Sequence, residues 1–415
     1  MLKRALATAL ARPLFLCGFR PFFLFGAWFA ALDMALWLAF LSGVAPLPAM
    51  PGGPFVWHVH ELVLGFALAA VVGFLLTSVP EFTSSDEFDA QLTLALLLAW
   101  IAARVAVAAS GWMGIVPAAI AQLGLIGLLA ARVAPRVLRD PARLHTGFLW
   151  TLVALWIVSA GFYLDAWRGA DAMRWLYAVL GVMMALILLA LSRISTRIVN
   201  EELDALRDAG NDVGDEYRPA PPRRNLALAT IALHALVEWL APGSAVVGWL
   251  ALAAAAALLN ILGDWHRGRV LLDRWVAMLY AVVVLIALGY AWMGSAILFD
   301  LGTVSGGRHL LAAGALSLAI YVAMSIAGRV HTGRKLDMRR WLPAGAAIIV
   351  GAALARAAAS LGGPLAQALL DAAALMWLAA FANWALHFQR VLAGAREDGA
   401  DGCAGLAGEH PTVRP

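Results

Sequence analysis

Long apolar stretches separated by short polar connections run along the chain from residue 14 to residue 392. A helix that crosses the hydrocarbon core of a bilayer needs about 20 residues that are mostly apolar. The pattern therefore predicts an all-α fold, a polytopic membrane bundle of about twelve transmembrane helices. The predicted spans are 14–42, 60–80, 91–110, 113–134, 146–167, 174–196, 225–241, 244–262, 275–299, 308–329, 341–360 and 364–392.

The seventh of these stretches is short and is interrupted by His234 and Glu238. Residues at i and i+4 lie on the same face of a helix. The two side chains could therefore form a proton relay, or they could simply satisfy each other's hydrogen bonds. The sequence leaves both interpretations open.

Composition supports the membrane prediction. Hydrophobic residues make up 63% of the chain and charged residues 13%, whereas a soluble domain has about 25% charged residues. We attribute the net charge of +4 to membrane topology and expect no nucleic-acid partner. The two cysteines, Cys17 and Cys403, fall at opposite ends of the chain, so we expect neither a disulfide framework nor a zinc site.

Cations are concentrated in alternate connections, as the positive-inside rule requires. This asymmetry predicts that both termini are cytoplasmic. A polar linker at 200–224 separates a six-helix half at 1–199 from a second half at 225–395, and the tail at 396–415 is predicted to be disordered. No clear sequence repeat relates the halves. The predicted cytoplasmic cations include Arg12, Arg132, Arg136, Arg139, Arg143, Arg267, Arg269, Arg274, Arg329, Arg334, Lys335, Arg339 and Arg340, whereas the other side has chiefly Arg168, Arg174, Arg308 and Arg356.

The densest group of ionisable residues is Trp57-His58-Val59-His60-Glu61, where the second span begins. On a regular helix His58 and Glu61 share a face, whereas His60 lies about 200° from His58. The two imidazoles would then serve different centres, unless this entry segment is extended. A purely interfacial role for the pair is the alternative.

The tenth span contributes two more histidines. His309 and His331 would lie on one helix face but about 33 Å apart along its axis. Topology places His309 at the depth of His58 and His60, and neutral imidazole is a common ligand of haem iron and copper. We therefore predict His58, His60 and His309 as metal ligands. His331 would belong to a separate inner site or only end its helix.

Three charged residues within apolar segments complete the candidate site. Glu61 is predicted to fix an imidazole tautomer or to relay a proton. Arg20 and Arg104 are each predicted to pair with a carboxylate such as Glu61, or with a haem propionate.

Several of these segments carry a family resemblance. The segments Gly18-Phe19-Arg20-Pro21-Phe22-Phe23-Leu24, Trp57-His58-Val59-His60-Glu61 and His331-Thr332-Gly333-Arg334 resemble motifs of the NnrS family. The resemblance implies a twelve-span protein of the bacterial inner membrane that contains haem and copper and acts in the nitric-oxide response. Ala287 stands where the family pattern leads us to expect a histidine, so haem b is expected and copper is left open.

The resulting hypothesis is a haem-binding membrane protein that binds, detoxifies or reduces nitric oxide. Its cofactor-binding residues would be His58, His60, His309, His331 and Arg20, and its partner a membrane or periplasmic electron donor. One rival is a secondary transporter without metal, using Arg20, Glu61, Arg104 and His234. The other is a haem-based sensor or metal chaperone. Whether the chain is an enzyme is left open.

Overall fold

Long helices make up most of the chain in the computed structural model, which describes residues 8, 10–336 and 339–403. The described residues contain no strand. The long helices are α1 (Phe19–Leu41), α2 (Gly53–Thr83), α3 (Ala90–Ala108), α4 (Val116–Arg139), α5 (Thr146–Arg168), α6 (Met173–Asp208), α7 (Pro221–Leu240), α8 (Ala245–Leu262), α9 (Arg274–Phe299), α10 (Val304–Val330), α11 (Trp341–Ala359) and α12 (Ala366–Ala393).

Within the described ranges, 11 helices are long and apolar enough to cross a membrane. Helix α7, which matches the predicted seventh span, is not among them: it begins Pro-Pro-Arg-Arg and carries His234 and Glu238. The predicted all-α polytopic membrane bundle is confirmed. The cytoplasmic position of the two termini stays a prediction of the charge pattern.

Helix α2 begins before the predicted boundary at residue 60. Gly52 precedes it with a φ of 91°, and Pro54 occupies the first turn, where a missing N–H costs nothing. The segment from Trp57 to His60 is therefore helical, which rules out the extended entry that the sequence had left open.

Two helices contain a π-helical turn directly after a histidine. In α2 the turn spans Glu61–Ala67 and follows His60; in α10 it spans Leu310–Leu316 and follows His309. Each turn has a glycine at its fifth position, Gly65 and Gly314. π-Helical turns are rare in proteins, and those that do occur are often at functional sites. The two halves of the chain thus share a local feature although no sequence repeat relates them.

The described residues form two compact units. The first takes residues from 1–172, 323–342 and 381–415, and the second from 173–322 and 343–380. The polar linker at 200–224 lies within the second unit, and its first residues continue α6 as helix to Asp208. Each unit is described separately below.

The two cysteines correct an expectation. Cys17 and Cys403 are joined through their sulfur atoms, with their Cα atoms 4.9 Å apart, a separation that a disulfide accommodates. The expectation that they would not pair was wrong, because distance along the chain says nothing about distance in a fold. Residues 404–415 of the predicted disordered tail lie outside the described residues.

Candidate functional site

A buried polar cluster occupies the first unit, and we call it the His60 cluster: His60, Glu61, Arg104, Gln122 and Tyr163. His60 Nδ1 lies 2.7 Å from Glu61 Oε1, and His60 Nε2 lies 2.9 Å from the Tyr163 hydroxyl. Arg104 donates to Glu61 with one terminal nitrogen and to Gln122 Oε1 with the other. The cluster connects α2, α3, α4 and α5.

The π turn of α2 explains why the cluster forms here. An inserted residue disturbs the regular backbone ladder and leaves carbonyls to be bonded by side chains. Gln122 donates to the Leu64 carbonyl at 3.0 Å, and Trp100 Nε1 donates to the Gly65 carbonyl at 2.9 Å. A Cβ on Gly65 would lie 2.7 Å from the Phe29 ring and 3.0 Å from Arg104. Glycine is therefore needed for this close packing.

His58 and His60 point away from each other, as the helical spacing predicted. The His58 ring stacks on Trp37 with centroids 4.1 Å apart, whereas the His60 ring packs against Phe162 at 5.1 Å. Because Glu61 also accepts from Arg104, we assign the proton of His60 to Nδ1, and Tyr163 then donates to Nε2. Both nitrogens of His60 are occupied within the cluster.

Asp33 is an unexpected buried carboxyl group beside this cluster. It lies in the middle of α1 and is 1% exposed. Neither of its oxygens has a hydrogen-bond partner among the described residues, and the charged groups acting on it are Glu61 and Arg104. The sequence signal was available, since an acid within an apolar stretch is a functional candidate by default.

The two predicted arginines have different partners. Arg104 pairs with Glu61, as the sequence suggested. Arg20, although completely buried, donates instead to the carbonyls of Pro13 at 2.9 Å, Leu392 at 3.4 Å and Gly394 at 2.8 Å. It therefore caps the carboxyl end of α12, where cations are stabilised.

His331 is enclosed by the chain's C-terminal segment. Its Nδ1 lies 2.7 Å from the Cys403 carbonyl, and its Nε2 lies 3.8 Å from a Glu81 carboxylate oxygen. Arg396 donates to the His331 carbonyl at 3.2 Å and pairs with Asp398, lowering the pKa of that carboxyl to about 2. Residues 396–403 are thus held by specific bonds.

His309 has a simpler environment in the second unit. Its Nδ1 lies 2.8 Å from the Ser305 carbonyl, an acceptor that fixes the proton on Nδ1. Metal-binding histidines commonly donate their second ring N–H to such a carbonyl. The described residues make no hydrogen bond to Nε2, which leaves its lone pair available.

The second unit also contains a small cavity beside α7. It has room for about one water molecule. Arg308 pairs with Glu238 at 2.7 Å and covers the Tyr177 ring at 3.5 Å. Glu238 therefore forms its ion pair with Arg308 and does not pair with His234. The Nε2 of His234 and the Nε of Arg308 have no partner among the described residues.

These positions decide how the predicted metals fit. No three or more His, Cys, Asp or Glu side chains of the described residues are arranged to hold a metal ion. For copper, these side chains therefore offer no ready-made site of three or more such ligands. The Nε2 lone pair of His309 is a donor of the kind that holds a haem iron, which needs only one imidazole from the protein. No finding tests the ligand set of His58, His60 and His309 that the sequence predicted; the first two lie in one unit and the third in the other.

The helices and their buried ionisable groups define a polytopic helical membrane protein with polar clusters inside its bundle. A sequence family described as NnrS protein matches residues 13–396, and the chain belongs to this family. It is thus a membrane protein of the nitric-oxide response. A search of curated proteins found no match to the chain.

Proposed function

We propose that this chain binds haem b in the bacterial inner membrane and handles nitric oxide by binding, detoxifying or reducing it. The observation that carries the proposal is the imidazole of His309, oriented by Ser305, in a chain of the NnrS family. A haem iron with one protein ligand would supply an open position at which nitric oxide binds.

The residues of the chain would divide the remaining work. His309 would hold the iron through Nε2, with the Ser305 carbonyl fixing its tautomer. The His60 cluster would act as a buried polar network rather than as a metal site, because both nitrogens of His60 are already bonded. A reductive reaction would also need electrons, for which we propose a membrane or periplasmic donor.

Arg20 and His331 receive a different assignment. Both were predicted to bind the cofactor, yet Arg20 donates to three backbone carbonyls and His331 bonds the carbonyl of Cys403. We propose that they position the C-terminal segment. Copper is left out of the proposal, since the donor groups of the described residues form no multi-ligand site.

An absorption spectrum of protein purified after expression with haem available tests this function. We expect a Soret band that shifts when nitric oxide is added without oxygen. A protein with no Soret band after such expression would contradict the proposal.

A transporter without metal is the second candidate, favoured by the buried Asp33, Glu61 and Arg104. Ionisable groups inside membrane helices mark ion and substrate pathways. The same spectrum separates the two, because a transporter of this kind has no Soret band. If haem is bound but nitric oxide is not consumed when electrons are supplied, the sensor or chaperone function is favoured instead.

A further inference from the structure

We propose that Asp33 is a proton-binding site of the first unit, a carboxyl group that carries a proton in the resting protein. The inference goes beyond the nitric-oxide function and does not depend on haem. It rests on the number of charges near α1 and on which hydrogen-bond donors are already used.

Charge is unbalanced around this residue. Two acids, Asp33 and Glu61, face one permanent cation, Arg104, and these are the charged groups that act on Asp33. His60 does not change the balance, because it donates from Nδ1 and accepts at Nε2 as a neutral imidazole. With both acids ionised, the surroundings of Asp33 would hold one uncompensated negative charge among the described residues.

Arg104 does not donate a hydrogen bond to Asp33. Its two terminal nitrogens bond to Glu61 and to Gln122, and its Nε makes no hydrogen bond to any described residue. Asp33 receives no hydrogen bond from any described residue and is 1% exposed. A buried carboxylate without a partner costs far more than a neutral acid, so such a group takes up a proton. Glu61 keeps the negative charge and Asp33 carries the proton.

A bound metal cation would be the other way to balance the charge. Hard cations need several oxygen ligands, six to eight for calcium. The Asp33 oxygens have no polar neighbour within hydrogen-bond distance among the described residues, and no metal-binding group is found there. A proton is the ligand that this site can hold.

Infrared spectroscopy of the full-length protein in lipid vesicles tests the proposal directly. A protonated carboxylic acid has a C=O stretch that is resolved from the ionised form. We expect such a band near neutral pH, and labelling aspartate with ¹³C in its side-chain carboxyl should move it, which assigns it to aspartate without any substitution.

Two variants locate the band. Asp33→Asn should abolish it, whereas Asp371→Asn should leave it unchanged, because Asp371 bonds to Gln367 on the exposed side of α12. No label-sensitive band in wild-type protein would show that Asp33 is ionised and would overturn the proposal. A label-sensitive band that survives in Asp33→Asn would overturn it as well. If Asp33→Asn does not fold, the absence of the band from labelled wild-type protein still overturns the proposal.

Discussion

The imidazole Nδ1 of His60 lies 2.7 Å from the carboxylate of Glu61, the residue that follows it and opens the π turn of α2. Neighbouring residues on a regular helix point in different directions, so this contact depends on how α2 passes into the π turn. The bond and the π turn fix the orientation of His60, and Arg104 then fixes Glu61.

Replacing Gln122 with alanine should destabilise the first unit. The change removes the side-chain bond to the Leu64 carbonyl and leaves one terminal nitrogen of Arg104 without its partner, and a buried group left unpaired costs about 1–3 kcal/mol. Thermal unfolding in detergent should show a clear loss relative to wild type. Gln367→Ala, on an exposed part of α12, is the matched control and should change stability by less than about 0.5 kcal/mol. Equal effects of the two changes would argue against the buried network.

Two glycine substitutions should differ sharply. Gly65→Ala places a Cβ 2.7 Å from the Phe29 ring, and overpacking of this kind costs about 1–3 kcal/mol. Gly124→Ala in α4 meets no atom within 4 Å and should be neutral or stabilising by up to about 1 kcal/mol, because alanine favours helix. Midpoints of thermal unfolding would compare them, and a Gly65→Ala protein as stable as wild type would refute the close packing at the π turn.

The ion pair of Arg308 and Glu238 should be strongly coupled in a double-mutant cycle. Arg308→Leu leaves a largely buried carboxylate unpaired, a loss of about 3–5 kcal/mol, whereas removing both partners should cost less than the sum of the single changes. The exposed pair of Arg218 and Glu216 provides the control cycle, in which we expect a coupling of about 0–1 kcal/mol. Additive effects at Arg308 and Glu238 would show that they do not pair.

The sulfur contact between Cys17 and Cys403 should be detectable as a covalent bond. The chain has 2 cysteines. Denatured protein that has not been reduced should therefore not react with a thiol reagent, whereas reduced protein should react at both cysteines. The mass of the alkylated protein measures this. Cys403→Ser should free Cys17 for reaction without reduction. Two reactive thiols in unreduced wild-type protein would contradict the bond.

Much of the helical architecture could be predicted because a membrane span is a local property of the sequence. About 20 apolar residues suffice to recognise one, so the prediction required no knowledge of tertiary contacts. The opposite directions of His58 and His60 followed from helical periodicity alone. Helix α7 marks the limit of this approach, since its two arginines and one glutamate leave it outside the 11 helices that qualify.

The polar network could be predicted only in part. An arginine and a glutamate within apolar segments each need a partner, which pointed to Arg104 and Glu61. The π turns could not be recognised from helical periodicity, so the side-chain bonds to the carbonyls of Leu64 and Gly65 were not foreseen. Arg308 meets Glu238, and Cys17 meets Cys403, across long stretches of chain. Only tertiary packing determines such pairs.

The haem content of histidine variants shows whether His309 holds the haem. Wild-type protein, His309→Ala, His60→Ala and His145→Ala would be purified in parallel, and their haem-to-protein ratios and Soret bands compared. His145 is the control, because its ring stacks on Phe82 at 5.0 Å in the first unit. We expect His309→Ala to lose most of its haem, whereas His60→Ala and His145→Ala should keep theirs. A folded His309→Ala protein with wild-type haem content and spectrum would contradict this expectation.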